Sequence, residues 1–301
     1  MNFDLENYRS GYIAIVGKPN VGKSTFLNLV LEDKISIISH KPQTTRNRIL
    51  GVKTFEDSQM IFWDTPGFHF AKRELNKVLI RQIENTLKEV DVVLLISDAS
   101  SPFGKSEKEL IQLLNKYKKR VILVINKTDI VKKPGILKMI DKYSKIYKFS
   151  EIIPVSFLKN EGTDVLIDII KQSLPVQPPF FPEDYLSDIP ESFIVAERVR
   201  EKIFQLIKEE IPYFTGVEVE QFREEEGKSI IYIQGTILVE TRSQKKIIIG
   251  HNGSMIKKIG ELARKDIEEF LNIKVYLDLW VKVLPKWTEK PSVIRRLGYE
   301  K

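Results

Sequence analysis

Short, almost uniformly apolar runs alternate with amphipathic segments through the first half of the chain. Tyr12-Ile-Ala-Ile-Val16, Gln59-Met-Ile-Phe-Trp63, Val90–Ser97, Arg120-Val-Ile-Leu-Val-Ile125 and Glu151–Val155 read as strands, the apolar ones buried on both faces. Between them Thr25–Leu31, Arg73–Glu89, Lys105–Tyr117, Ile136–Tyr147 and Thr163–Leu174 carry apolar residues at helical spacing. Strands alternating with helices predict an α/β domain with a mostly parallel sheet. The stretch Lys41–Arg48 is polar and without period, and reads as a mobile loop.

The pattern then changes. Pro175-Val-Gln-Pro-Pro-Phe-Phe-Pro182, continuing to Pro190, is extended chain with few helix formers. It reads as a semi-rigid interdomain linker, with a loop packed on the first domain or a recognition peptide as alternatives. Beyond it a helix is expected over Glu191–Glu210, closed by Pro212. Strands over Val217–Arg223 and Ser229–Val239 follow, forming a hairpin around Glu224–Lys228. Helical Ser243–Ile249, the turn Gly250-His-Asn-Gly253, a helix over Ser254–Leu271 and a strand over Lys274–Val283 complete a smaller α+β domain. The expected division is residues 1–175, a linker at 176–191 and a second domain at 192–301, which suits a length of 301 residues.

Composition narrows the chemistry. The chain has no cysteine, which excludes disulfides, thiolate metal sites and thiol nucleophiles. Its three histidines, His40, His69 and His251, are scattered, which argues against a zinc centre. The N-terminus lacks a signal-peptide core, and no apolar run approaches the roughly 20 residues of a membrane span. A cytoplasmic location is therefore expected. The net charge of +7 favours an anionic partner, either nucleic acid or a membrane surface.

The sharpest signals stand at strand ends, where open α/β sheets bind ligands. Gly17-Lys18-Pro19-Asn20-Val21-Gly22-Lys23-Ser24 follows the first strand and opens a helix at Thr25, the pattern of a phosphate-binding loop. Its glycines let backbone N–H groups curl around phosphate oxygens at a helix N-terminus. Lys23 reaches for the outer phosphates, and the Ser24 hydroxyl offers a ligand to Mg²⁺. Asp64-Thr65-Pro66-Gly67 ends the next strand. There a carboxylate serves Mg²⁺ and the Gly67 N–H faces the last phosphate. Asn126-Lys127-Thr128-Asp129 ends another: Asp129 can accept from N1–H and the exocyclic amine of guanine, Asn126 can tie the loop to Gly17–Ser24, and Lys127 can cover the base.

Taken together the three motifs resemble those of Ras-like GTPases. With Gln43-Thr-Thr-Arg46 they resemble the Era branch of the bacterial assembly GTPases. The resemblance implies GTP and GDP as ligands, Mg²⁺ held by Ser24, Thr45 and Asp64, and hydrolysis assisted by Lys23, Thr45 and Asn20, the last through an activating K⁺. It implies Ser156 as a further guanine contact. Where the family has Ser-Ala this chain has Ser156-Phe157. Phe68 stands where Ras-like enzymes carry a water-orienting Gln, which implies slow intrinsic hydrolysis.

The order helix, strand, strand, helix, Gly-x-x-Gly, helix, strand resembles a type II KH domain. Gly250, His251, Asn252 and Gly253 would approach an RNA backbone closely, with Lys245, Lys246, Lys257 and Lys258 on phosphates. Ile247, Ile248 and Ile249 would offer an apolar floor to unstacked bases. The tail, with Lys282, Lys286, Trp287, Lys290, Arg295 and Arg296, either extends this groove or buries Trp287 in its own domain. By resemblance the RNA is the 3′ end of 16S rRNA, the setting is assembly of the small ribosomal subunit, peripheral membrane contact accompanies it, and the chain is a monomer. Three other classes remain open from the residues alone: an RNA chaperone with a passive nucleotide site, a membrane-surface GTPase, and an ATP-using P-loop enzyme.

Overall fold

In the computed structural model, β1 (Arg9–Gly17) runs through the middle of a six-stranded sheet, its Ile13–Val16 segment wholly buried. The structure describes residues 6–33, 48–68, 74–101, 103–207, 210–224 and 229–299. These make two units, one of residues 6–33, 48–68 and 79–188, the other mainly of residues 189–299.

The first unit follows β1 with α1 (Lys23–Leu31), β2 (Ile49–Thr54), β3 (Ser58–Asp64), α2 (Glu74–Glu89), β4 (Val92–Asp98), α3 (Lys105–Tyr117), β5 (Arg120–Asn126), α4 (Lys133–Ser144), β6 (Glu151–Pro154) and α5 (Thr163–Ser173). The strand order is β2-β3-β1-β4-β5-β6, parallel except for β2. Ala14, Val16, Val93, Leu95, Val121 and Leu123 face Ile83 and Leu87 of α2, Leu110 and Leu114 of α3, and Tyr143. The opposite face is packed by α1 and α5. Because five strands run the same way, their carboxyl ends meet along one edge, with Gly17, Asp64, Asp98 and Asn126 there.

Two features depart from the sequence expectation. Residues Ile49–Thr54 form an antiparallel edge strand, with Ile49 opposite Asp64 and Thr54 opposite Gln59. The helix expected over Ile136–Tyr147 is Lys133–Ser144, because Pro134 occupies its first turn, where a missing N–H costs nothing.

The Pro-rich stretch is hydrogen-bonded along the first unit, which is the packed-loop alternative. Ser10 and Gln59 are fully buried polar residues and need partners. The Ser10 hydroxyl donates to the Pro178 carbonyl at 2.7 Å, and Gln59 Oε1 accepts from Phe180 and Phe181 N–H at 2.8 and 3.0 Å. Farther on, Val52 N–H donates to Leu186 and the Ser187 hydroxyl to Leu50. Extended, proline-stiffened chain thus satisfies groups that the strands themselves leave over.

The second unit comprises α6 (Glu191–Leu206), β7 (Gly216–Glu224), β8 (Ile230–Val239), α7 (Arg242–Ile249), α8 (Ser254–Leu271), β9 (Lys274–Val283) and α9 (Pro291–Arg296). β7 pairs antiparallel with β8, and β8 parallel with β9. Ile231, Ile233, Ile237 and Val281 pack against Val195, Val199 and Ile203 of α6, Ile248 of α7, and Ile259, Ala263 and Ile267 of α8. α6 ends at Leu206, earlier than the expected Glu210, with Ile207 already extended. The tail carries structure that its basic composition did not announce. Trp287, Val293, Ile294, Leu297 and Tyr299 make a satellite core with Leu238. Trp287 is fully buried, and its Nε1–H donates to the Phe214 carbonyl at 2.8 Å, so it lies inside its own domain.

Candidate functional site

The loop from Gly17 to Ser24 turns between β1 and α1 on backbone angles that few residues adopt. Gly17 has φ 156° and Gly22 φ 106°, and even Asn20 is left-handed at 64°. A methyl group on Gly17 would lie 2.3 Å from the Ile96 carbonyl, and one on Gly22 2.3 Å from Asn126 Nδ2. Glycine is required at both places by space as well as by conformation. Val21 is buried beneath the loop, while Pro19, Asn20 and Thr25 are half-buried.

Lys23 is almost fully buried and folds back on the loop. Its Nζ donates to the carbonyls of Gly17 at 3.3 Å and Lys18 at 2.9 Å. Burial pushes its ammonium down to about 8, with nearby Asp64 opposing the shift. Lys18 points elsewhere, paired with the buried Glu107 and donating to Ser101 Oγ at 3.2 Å. The Ser24 hydroxyl donates to Asp64 Oδ2 at 2.8 Å across the site, and Asp64 is completely buried. A hydroxyl and a carboxylate facing each other are hard oxygen donors, the set that suits Mg²⁺.

The segment after Asp64 is fastened to β1. The Thr65 hydroxyl donates to the Ile15 carbonyl at 2.7 Å, and Phe68 N–H donates to Gly17 O at 3.0 Å. Pro66 is buried, and a Cβ on Gly67 would come within 2.9 Å of Pro19 backbone atoms, so the two loops touch. Phe68 enters the core with Ala14 and Val16. Thr45 lies outside the described residues.

Asn126 joins the phosphate loop to the base loop. Its Nδ2 donates to the Val21 carbonyl at 2.8 Å, and its Oδ1 accepts from Phe157 N–H at 3.1 Å. Asp129 Oδ1 accepts from the Ser156 hydroxyl at 2.7 Å, while Lys127, at φ 66°, donates to Asp98 Oδ2 at 2.6 Å. Asp98 was not read from the sequence, though it ends a strand like the other polar site residues. Burial acts on its carboxyl most strongly and upward, but hydrogen bonds from Lys127 and Ser100 outweigh it and hold Asp98 below the ordinary carboxylate range. Phe157 turns inward against Phe26, ring centroids 5.0 Å apart, which leaves its backbone N–H to the base loop.

In the second unit Gly250 (φ 74°) and Gly253 (φ 78°) bracket Asn252 (φ 47°) between α7 and α8. Lys246, His251, Asn252, Lys257 and Lys258 are exposed around this turn, with Lys245 half-buried. The three isoleucines separate. Ile247 is exposed, Ile249 half-buried, and Ile248 is wholly inside the core, so the floor imagined from all three loses Ile248. Three successive helical residues point about 100° apart and cannot share one face. The apolar lining lies instead in a cleft of about 350 Å³ between α8 and β9, lined by Ile256, Lys257, Gly260, Glu261, Arg264, Val275, Tyr276, Leu277 and Leu279. Of these, Lys257 alone was singled out from the sequence. Among the described residues, no His, Asp and Glu cluster could hold a metal ion by itself, and no helix is long and apolar enough to cross a membrane.

Comparison with known proteins agrees with this arrangement. Residues 12–127 match a family model described as 50S ribosome-binding GTPase, and residues 210–288 match a KH domain model. The protein called GTPase Era in Geobacter metallireducens is 46% identical over 292 residues, spanning 97% of this chain and 98% of its own. That of Ruminiclostridium cellulolyticum is 45% identical over 294 residues, with 98% of each covered. A crystal structure of Era in complex with MgGDPNP and nucleotides 1506–1542 of 16S ribosomal RNA superposes with a TM-score of 0.95 at 40% identity, covering 98% of this chain and 100% of that one. A variant of Aquifex aeolicus Era bound to GDP·AlF4⁻ gives 0.94 at 40% identity, covering 97% and 100%. With the phosphate loop, the base loop and the Gly-x-x-Gly turn all in place, the chain belongs to the Era family of GTPases.

Proposed function

We propose that the chain is a GTP-hydrolysing switch whose second unit binds 16S rRNA when GTP occupies the first, in the course of small-subunit assembly. One observation carries the nucleotide half: the Asn126 side chain bonds Val21 and Phe157 together, so the phosphate loop and the base loop act as one site. The related Era captured with both MgGDPNP and an rRNA segment supports the coupling. Exposed lysines beside the α8–β9 cleft supply the counter-charge that an RNA strand needs.

In this reading Asp129 accepts the two N–H donors of guanine, with Ser156 holding the carboxylate in place. The stem of Lys127 covers the base, its ammonium pinned by Asp98. Lys23 leaves its two carbonyls for the β- and γ-phosphate oxygens, where its charge opposes the charge developing in the transition state. Ser24 and Asp64 would hold Mg²⁺, which would neutralise phosphate charge when bound, with Thr45 as a further ligand. Water attacks the γ-phosphorus in line. Phe68 is apolar and core-packed, so no side chain at that position orients the water, and intrinsic turnover is slow. Asn20 would hold an activating K⁺, which would supply further positive charge.

The test is RNA retention by the full chain at fixed salt, comparing a 16S rRNA 3′-end oligonucleotide with a scrambled one, each with GDP and with GDPNP. Selective retention favoured by GDPNP is expected; equal retention in all four arms overturns the switch. Hydrolysis in Na⁺ should be slower than in K⁺, and Asn20→Ala should erase that difference. A cation preference that survives in the variant removes Asn20 from the reading.

A further inference from the structure

The sheet of the second unit has two faces, and α6, α7 and α8 cover one of them. Along β9 the pleat sends Val275, Leu277, Leu279 and Val281 inward, so Tyr276, Asp278, Trp280 and Lys282 point outward. Register places Tyr232 of β8 beside Tyr276, and the two rings stack with centroids 5.2 Å apart and planes 10° from parallel. Trp280 follows on the same face, and both it and Tyr276 are more than half exposed, at 59% and 57%. The Trp280 Nε1–H donates to Asp278 Oδ2 at 2.8 Å, which satisfies its one polar atom and fixes the ring. Among the described residues, the satellite core built around α9 closes one end of this face, at Leu238.

Large aromatic rings left facing water at fixed orientation mark a contact surface. Two further observations identify the partner. Arg223, opposite Tyr232, and Lys282, beyond Trp280, are both exposed, so cations flank the aromatic group at either end, while the Asp278 carboxylate between the rings is engaged by the Trp280 Nε1–H. Stacking planes flanked by cations are the chemistry that holds single-stranded nucleic acid. Tyr276 also lines the α8–β9 cleft, so the cleft and the outer face meet across the edge strand β9.

We propose that this outer face is a second RNA-contacting surface, on which unpaired bases of the strand leaving the cleft stack against Tyr276 and Trp280. The inference rests on the reading of the cleft as an RNA site. A KH cleft takes about four nucleotides. The outer face then adds affinity only for RNA longer than that.

The experiment uses the full chain with GDPNP and two probes, the 16S rRNA segment 1506–1542 and the shortest fragment of it that the unsubstituted chain still retains. Trp280→Ala should weaken binding of the long segment about tenfold, the worth of one stacked base, and leave the short fragment unchanged. Trp280→Phe should retain both affinities while removing the tryptophan fluorescence quench that the long segment causes, since Trp287 is buried and Trp63 belongs to the other unit. Suppose Trp280→Ala binds both RNAs as the parent does, no quench appears, and Arg264→Ala weakens both. The outer-face site is then overturned while the cleft stands, and the face passes to a protein partner. If the parent chain retains neither RNA, the reading of the cleft falls and this inference with it.

Discussion

The nucleotide site and the RNA cleft are built on opposite plans. In the first, polar groups already answer one another: Ser24 to Asp64, Ser156 to Asp129, Lys127 to Asp98, Lys23 to two carbonyls. Each is buried or half-buried, and each is placed by the end of a strand. In the second, Lys246, Lys257 and Lys258 stand in water beside apolar lining, and what is fixed is the glycine-bounded turn. A small ligand of set shape is recognised by few, pre-placed donors and acceptors, so single losses are costly. A polymer is recognised by a surface on which each contact adds a little.

That contrast is tested most severely at Asp129. Asp129→Asn turns an acceptor for two guanine N–H groups into a group that presents a donor to one of them. The loss of two charge-assisted hydrogen bonds should lower GTP affinity roughly 10²–10⁴-fold. Xanthosine triphosphate, with a carbonyl where guanine has its amine, should bind the variant better than GTP does. Competition binding of the two nucleotides reads this directly, and an unchanged guanine preference removes Asp129 from base recognition. Lys23→Ala comes next, with hydrolysis slowed roughly 10²–10³-fold, the usual loss when one preorganised donor to a transition-state oxyanion is removed. Single-turnover rates at saturating GTP measure it. No single lysine substitution in the cleft should approach either effect.

The same contrast governs what the sequence discloses. Gly17–Ser24, Asp64–Gly67 and Asn126–Asp129 are legible because their geometry needs particular residues at particular spacings after a buried strand. Asp98 obeys the same rule at the end of β4 and could have been found by it. β2 was not legible: Ile49-Leu-Gly-Val-Lys-Thr54 is short, interrupted by glycine and lysine, and made a strand by its pairing with β3. Proline content says that residues 175–190 are extended and nothing about what they lie on. The signal was elsewhere, in Ser10 and Gln59, polar residues inside strands that required partners. In the second unit the turn was legible and its lining was not, because Ile256, Gly260 and Leu279 come together only when α8 packs on β9. Burial of Trp287 was one of the two readings of the tail, but the helix α9 was hidden by charges that suggested a surface.

A third test uses pH and sharpens the account of Lys23. In the empty site burial holds its ammonium near 8, well below the ordinary lysine value, and a bound phosphate anion pulls it back up. Nucleotide binding therefore takes up a proton when the site starts deprotonated. Affinity should be level below pH 8 and fall as pH rises through it, approaching about tenfold per unit. Titrations of GDP from pH 7 to 9, with Lys23→Met as the control of flat profile, decide it. A flat profile for the parent chain means that the ammonium keeps its proton in the empty site.

The smallest effects are expected at the turn, where the two glycines differ in kind. Gly250 sits at φ 74° and ψ 178°, a region nearly closed to other residues, and a Cβ there would lie 2.7 Å from both Cβ and N of Met255. Gly250→Ala should destabilise the second unit by about 1–3 kcal/mol, read as a lower denaturant midpoint. Gly253 is left-handed at φ 78°, but a Cβ there meets nothing within 4 Å. Its substitution by Ala should cost only about 1 kcal/mol of stability, because the strain is conformational alone. The added methyl stands instead where an RNA backbone would approach, so its effect should appear in RNA retention. Gly250 is thus held by the packing behind the turn and Gly253 by the space in front of it. Equal losses of stability in the two variants, with RNA retention unchanged in Gly253→Ala, would mean that no strand passes over this turn.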